Sequence, residues 1–206
     1  FRVTLFSPDL PQAELDPASL KGMQRVMTGY STVVLDLTQD ETTLRENLDR
    51  KWRNRVFRPK RSAQLEVQLK ADMRDCRHLL ERELAQRQAR QFHGLPTDFV
   101  PAFIDGHESA AQGYLMATTR HEGRTIASML FLLHGQGATY HIGWSDEEGR
   151  KLSAHNVMLW QAMLHLKKQG ISRLDLGGIN THDLPGISRF KLATGGQVLT
   201  LAGTYF

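Results

Sequence analysis

The sequence predicts an α+β (mixed α/β) domain: a central, mostly antiparallel sheet with helices on both faces. Three observations carry this. Between Gly113 and Trp144, three strand-like runs are separated by tight turns at 121–123 and 135–137, the mark of an antiparallel meander. Amphipathic helical stretches flank that meander on both sides. Two short apolar runs, "STVVLDL" at 31–37 and "ISRLDLGGIN" at 171–180, read as buried strands that helices must cover.

In chain order, the first 30 residues read as loop, with "SPDLPQ" and "DPAS" as turn signals. The strand at 31–37 follows. Residues 38–58 are predicted as one helix, capped by Thr38 or Asp40, with acids in its first turn and bases in its last. Leu44, Leu48, Trp52 and Val56 form its apolar stripe; Lys51, Arg55 and Arg58 share another face, and Pro59 ends it. "AQLEVQLKA" alternates, so Leu65, Val67 and Leu69 share one side of a strand. The next helix is capped by Asp72 and points Met73, Cys76, Leu80 and Leu84 inward. A shorter helix opens at Thr97 or Asp98. The meander strands are placed at 113–120, 124–134 and 138–144. A helix at 153–170 is capped by Ser153 and stopped by Gly170. Val157, Trp160 and Leu164 face one way on it, Gln161, His165 and Lys168 the other. The strand at 171–180 ends in two glycines, "LPGISRFKLATGG" supplies a helical turn, and "QVLTLAGTYF" one or two final strands. The organisation expected is an N-terminal extension at 1–62, carrying a strand and a basic helix, and a second domain at 63–206.

Composition bounds the function. The 206 residues are 40% hydrophobic and 23% charged, in the range of a folded domain. No apolar run approaches the roughly 18–20 residues of a membrane span, so stable membrane insertion is not expected. The start "FRVTLFSPDLPQ" lacks the basic and apolar regions of a signal peptide and has no Met, so a preceding domain is expected to be missing. The single cysteine, Cys76, permits no internal disulfide and suits a reducing, cytoplasmic setting. Nine scattered histidines form no HExxH pair, and no Cys/His cluster has zinc spacing; no metal is expected. The net charge of +4 is concentrated: Arg45, Arg50, Lys51, Arg53, Arg55, Arg58, Lys60 and Arg61 are opposed within their stretch only by Glu46 and Asp49. Such a cluster suits an anionic partner.

From Leu65 onward the element order resembles the acyltransferase fold of the N-acetyltransferase (GNAT) superfamily. In that fold the helix after the fourth strand offers its first amides to a ligand's phosphates. Here that helix opens at "KLSAHN", and the glycine-rich acetyl-CoA turn is absent, since "EEGRKLSAHN" holds one glycine. Over roughly residues 31–206 the chain resembles the FemABX aminoacyltransferases, which add amino acids from aminoacyl-tRNA to peptidoglycan precursors. "STVVLDL" followed by "LRENLDRKWRNRV" is similar to that family's strand and basic helix. "YHIGWSD", "VMLWQAMLHLKKQGISRLDLGGIN", "PGISRFKLATGG" and "AGTYF" match its later segments in order.

The resemblance implies a cytoplasmic, tRNA-dependent aminoacyltransferase of cell-wall biogenesis. Its donor would be a charged tRNA, with no other cofactor, and its acceptor an amine on a UDP-linked or lipid-linked cell-wall precursor. It implies that Lys191 stabilises the tetrahedral intermediate or the leaving ribose oxygen, and that the Phe190 peptide helps seat the acceptor amine. Lys51, Arg53 and Arg55 either grip phosphates or carboxylates of the acceptor or complement a solvated helix end. Asp175, inside a buried strand, needs a partner: a catalytic neighbour, a backbone amide or an arginine. Gly177 and Gly178 permit close backbone approach. Tyr140 and Trp144 either line the acceptor channel or pack in the core. His155 and Asn156, at a helix start, meet a phosphate or support the cap. Two rivals remain at this level: an acyl-CoA- or acyl-carrier-dependent N-acyltransferase, and a non-catalytic fragment that binds RNA or a nucleotide-sugar.

Overall fold

The computed structural model describes residues 4–8, 10–57, 65–91, 94–96, 98–180 and 184–206. After two short 3-10 turns come β1 (Arg25–Met27), β2 (Ser31–Asp36), α1 (Glu41–Asn47), α2 (Arg50–Phe57) and β3 (Glu66–Lys70). Then follow α3 (Met73–Arg90), α4 (Phe99–Asp105), α5 (Ala110–Gly113), β4 (Tyr114–His121), β5 (Arg124–His134) and β6 (Gly137–Ser145). The last third holds α6 (Glu147–Lys151), α7 (Ala154–Lys168), β7 (Arg173–Gly178), α8 (Pro185–Leu192), β8 (Gln197–Thr200) and β9 (Thr204–Tyr205).

Seven strands form one sheet in the order β3-β4-β5-β6-β7-β2-β8, and β1 pairs with β9 apart from it. All pairs in the large sheet are antiparallel except β6–β7. A parallel pair needs a crossover connection, and α6 with α7 supply it. The expected α+β architecture, a mostly antiparallel sheet with helices on both faces, is thus the one observed. One sheet face packs against α1, α2 and α7, through Leu44, Trp52, Val56, Val157, Leu159 and Met163. The other packs against α3 and α4, through Cys76, Leu79, Val100 and Ile104. With both faces covered, the middle of β5 is buried at every position, which is why its sequence does not alternate. Cys76 is fully buried, and that burial pushes its thiol up to about 11.

Several expectations are corrected. The stretch at 38–58 is not one helix. Leu48 is extended (ψ 139°), and Asp49 starts a second helix by accepting from the Lys51 amide at 2.7 Å. The Asp49 amide is drawn out of helical bonding by the Ala193 carbonyl (2.9 Å). Asp40 is the cap of α1, accepting from the Thr43 amide; Thr38 instead donates its amide to Asp36. On α3, Asp72 caps as expected, Cys76 is buried and Leu80 packs against the core half-buried, and Leu79 is buried beside them. Met73 and Leu84 are exposed, because one sits at the helix start and the other rims a small cavity beside β6. Ser153 makes no side-chain cap; it takes the left-handed conformation (φ 57°). On α7, Val157 and Trp160 are buried as expected, while Leu164 is only half-buried. The "LPGISRFKLATGG" turn is a full helix, α8. Arg58, Pro59, Lys60, Arg61, Thr97 and the expected boundary at 62/63 lie outside the described residues. β2, from before that boundary, sits inside the large sheet between β7 and β8.

The loop after α8 meets the α1–α2 junction at backbone contact. A Cβ on Gly195 (φ +77°) would lie 2.3 Å from the Asn47 carbonyl oxygen, whereas a Cβ on Gly135 (φ +59°) would meet open space. Gly195→Ala therefore loses several times the roughly 1–2 kcal/mol left-handed cost that alone falls on Gly135→Ala. Paired urea melts of the two variants check this; equal losses would contradict it.

Candidate active site

β6 and β7 pair only from Gly137–Thr139 against Arg173–Asp175. Beyond that point the parallel ladder stops, although β6 stays paired to β5 as far as Ser145 and β7 to β2 as far as Gly178. A bulge contributes: Leu130 opposes Ile142 and Phe131 opposes Tyr140, so His141 is the extra residue of β6. The crevice lies at the carboxyl ends of two parallel strands, where the strand polar groups have lost their neighbour.

α8 places Lys191 at this point. The Lys191 ammonium donates to the Gly178 carbonyl at 2.8 Å. It lies 3.5 Å from where a Cβ on Gly177 would stand, and that same point is 3.6 Å from the Tyr140 carbonyl oxygen. Gly177 adopts φ +77°, which a side chain would strain. Lys191 is only 8% exposed. Burial pulls its ammonium below the usual lysine range, and the Asp175 carboxylate partly opposes this.

Asp175 accepts from the Thr32 hydroxyl of β2 and from the Gly177 amide at 2.7 Å. Asp175 is half-buried rather than fully buried, and its partners are a hydroxyl and a backbone amide. The second bond also shapes the turn that carries Gly177.

α8 is held from three directions. The Trp52 indole donates to the Phe190 carbonyl at 3.2 Å. The Thr194 hydroxyl donates to the Lys191 carbonyl at 2.6 Å. The Ser188 hydroxyl donates to the Asn180 carbonyl at 2.8 Å. The Phe190 ring stands between Trp52 (5.9 Å between centroids) and His155 (6.2 Å).

The other residues singled out from the sequence fall in different places. His155 donates through Nε2 to the Trp144 carbonyl at 3.0 Å, and burial lowers its pKa, favouring the neutral ring. Asn156 is buried, and its Nδ2 has no hydrogen-bond partner among the described residues. Tyr140 packs on Phe131, and its hydroxyl occupies the space a side chain at Gly143 would need. Burial raises the Tyr140 pKa. Trp144 packs toward α3, under the Arg82 guanidinium at 3.8 Å. Lys51 lines an open groove against α8. Arg53 donates back to the Glu46 carbonyl at the end of α1, and Arg55 is exposed on α2. The structure thus brings Lys191, Phe190, Asp175, Gly177, Gly178 and Tyr140 together, with His155 one ring away. It does not gather Lys51, Arg53 and Arg55 into one site.

Thr32, Trp52 and Thr194 support the site without standing out in the sequence as doing so. Only Trp52 carried a signal: a tryptophan on a buried stripe has an N–H that needs an acceptor. Among the described residues, no group of three or more His, Cys, Asp or Glu could hold a metal ion. No described helix is long and apolar enough to cross a membrane.

A buried ammonium at the end of two diverging strands can stabilise negative charge developing on an oxygen in the crevice. Residues 42–192 match the Acetyltransferase (GNAT) domain family. Among solved structures, the chain is similar to FemX, with TM-score 0.78 and 13% identity over 98% of this chain and 70% of that one. It is also similar to the C-terminal domain of a putative lysylphosphatidylglycerol synthetase from Agrobacterium fabrum (TM-score 0.56, 14% identity, 92% and 64% covered). A third is L-PGS from Bacillus licheniformis (TM-score 0.56, 11% identity, 90% and 62% covered, respectively). At these identities the likeness is one of fold, and the chain spans less than two thirds of the latter two. No curated protein gives a significant sequence match.

The depressed Lys191 pKa makes a stability prediction. Between the folded pKa and the ordinary 10.5, the unfolded chain binds the proton more readily, so stability rises with pH across that window. Below it, the fold carries the cost of a buried charge. Lys191→Met is expected to melt higher than the parent at pH 7, with the gap closing as pH rises through that window. Thermal melts across pH 7–10 check this; a less stable variant at pH 7 would contradict it.

Proposed function

The chain belongs to the Acetyltransferase (GNAT) domain family, and from that premise we propose that this acyltransferase moves an aminoacyl group from a charged tRNA to an amine of a UDP-linked or lipid-linked cell-wall precursor. The observation that carries the reading is the Lys191 ammonium, buried and held by the Gly178 carbonyl where the β6–β7 ladder ends.

In this reaction the acceptor amine attacks the ester carbonyl. A C–N bond forms, the C–O bond to the ribose breaks, and the amine's proton leaves with the ribose oxygen. Lys191 stabilises the oxygen that becomes negative. Phe190, whose carbonyl direction is set by Trp52, seats the acceptor amine beside it. Tyr140 and Gly177 line the approach. Asp175 acts through Gly177 and through the charge it places near Lys191, so it is a positioning residue.

The β6–α7 connection supports a donor other than acyl-CoA. Its one glycine, Gly149, donates its amide to Asp146 at 2.8 Å, and a Cβ there would strike the Ile126 carbonyl at 2.4 Å. That amide is used inside the fold and turned toward β5. Asp146 and Glu148 nearby are engaged by Arg124, so this connection is tied into the fold by ion pairs. One feature favours the second reading, an acyl-CoA- or acyl-carrier-dependent transfer: α7 begins without a side-chain cap and with the Asn156 amide unpartnered among the described residues.

Lys191→Ala is expected to lower transfer by roughly 10²-fold or more, the scale of one oxyanion donor, while donor affinity is kept. Incubation with charged tRNAs or acyl-CoAs and amine acceptors, with adducts identified by mass, measures this. Transfer from acyl-CoA alone would establish the second reading, and undiminished turnover in Lys191→Ala would remove the lysine from the mechanism.

A further inference from the structure

A groove of about 640 Å³ runs between the start of α2 and one face of α8, lined by Asp49, Lys51, Pro185, Ser188, Arg189, Leu192 and Ala193. Two cations reach it from two separate helices, Lys51 from α2 and Arg189 from α8. Neither forms an ion pair among the described residues. The one carboxylate in the groove, Asp49, is already bonded to the Lys51 amide at 2.7 Å and the Trp52 amide at 3.4 Å. Among the described residues, the groove lining therefore carries two cations against one carboxylate, an oxygen of which is occupied by backbone amides, a net positive charge.

We propose that this groove seats the sugar-phosphate backbone of an RNA donor, with Lys51 and Arg189 each contacting a phosphate; the inference rests on the aminoacyl-tRNA reading above. Three features favour a strand over a compact anion. The groove is open along its length rather than enclosed. Exposed Arg55, one turn beyond Lys51 on the same face of α2, extends the charge past the groove lining over about 6 Å of helix axis. The floor of the groove is α8 itself, which carries Lys191 on an adjacent face, between Arg189 and Leu192 in the chain. An RNA end held along this face of α8 would have its terminal ester close to the crevice that Lys191 enters. Arg189 is thereby assigned a role that the sequence did not suggest, and Lys51 acts on the donor instead of the acceptor.

The test uses the full chain and an uncharged RNA hairpin with a single-stranded CCA end, followed by fluorescence anisotropy at several salt concentrations. Lys51→Gln with Arg189→Gln should weaken binding about tenfold near physiological salt and flatten the log–log salt slope by roughly 1.5, two phosphate contacts' worth. Both residues are exposed, so the fold should survive, which circular dichroism verifies. In transfer assays the same variant should raise KM for charged tRNA and leave kcat and the acceptor KM within about twofold. A charge-matched control, Lys21→Gln with Lys168→Gln, should change little. The proposal is overturned if the control weakens RNA as much, if RNA binding is unaffected, or if affinity for a nucleoside-diphosphate sugar falls in place of RNA. RNA binding that responds as expected in a protein that transfers nothing from tRNA would retain the groove and reject the donor chemistry. Transfer from tRNA with an unaffected double variant would do the reverse.

Discussion

The site depends on the point where the β6–β7 ladder ends and a lysine ammonium takes the place of further strand pairing. A parallel pair that continued would satisfy its own backbone and leave no crevice. Because it stops at Thr139 and Asp175, the Gly178 carbonyl is available to Lys191. Burying an ammonium is costly, and here the carbonyl bond and the nearby Asp175 charge offset part of that cost. Asp175 is in turn held by Thr32 and Gly177. The cation, the glycine turn and the carboxylate thus form one unit.

The N-terminal strand and helices hold this unit in place. Trp52 fixes the Phe190 carbonyl, the Asp49 amide takes the Ala193 carbonyl, and Gly195 lies against Asn47 without room for a side chain. The break between α1 and α2 puts these groups at the end of α8. A continuous helix over 38–58 would have spent the Asp49 amide internally. The helix bearing Lys191 is therefore oriented from far upstream, in the case of Trp52 and Phe190 across 138 positions of chain.

Much of the fold was legible. The meander strands, their turns, the Asp40 and Asp72 caps and the buried α7 follow from local pattern, since each reflects a period or cap that neighbouring residues set among themselves. On α3 the pattern misled in part: an 18-residue helix with polar residues around it offers several plausible stripes, and the sheet selected Cys76 with Leu79. At the site, Lys191, Asp175 and the two glycines stood out by resemblance to a family motif. Thr32 did not, because a hydroxyl that supports a carboxylate 143 positions away looks like any other strand threonine, and Thr194 did not, because its bond back to the Lys191 carbonyl is an ordinary helix-end contact.

The sequence by itself determined most of the longer elements, the α+β class and the residues proposed to carry the chemistry, because periodicity, caps and turns are local and the motifs keep their order; it read β1 as loop and offered no sign of the short α5 and α6. Only the tertiary structure decided where α1 ends, which cations share a groove and how the Lys191 ammonium is held. Those outcomes depend on contacts between residues far apart in the chain. Asp49 with Ala193 and Thr32 with Asp175 meet only after the sheet has closed around them, and local preference carries no record of either pair.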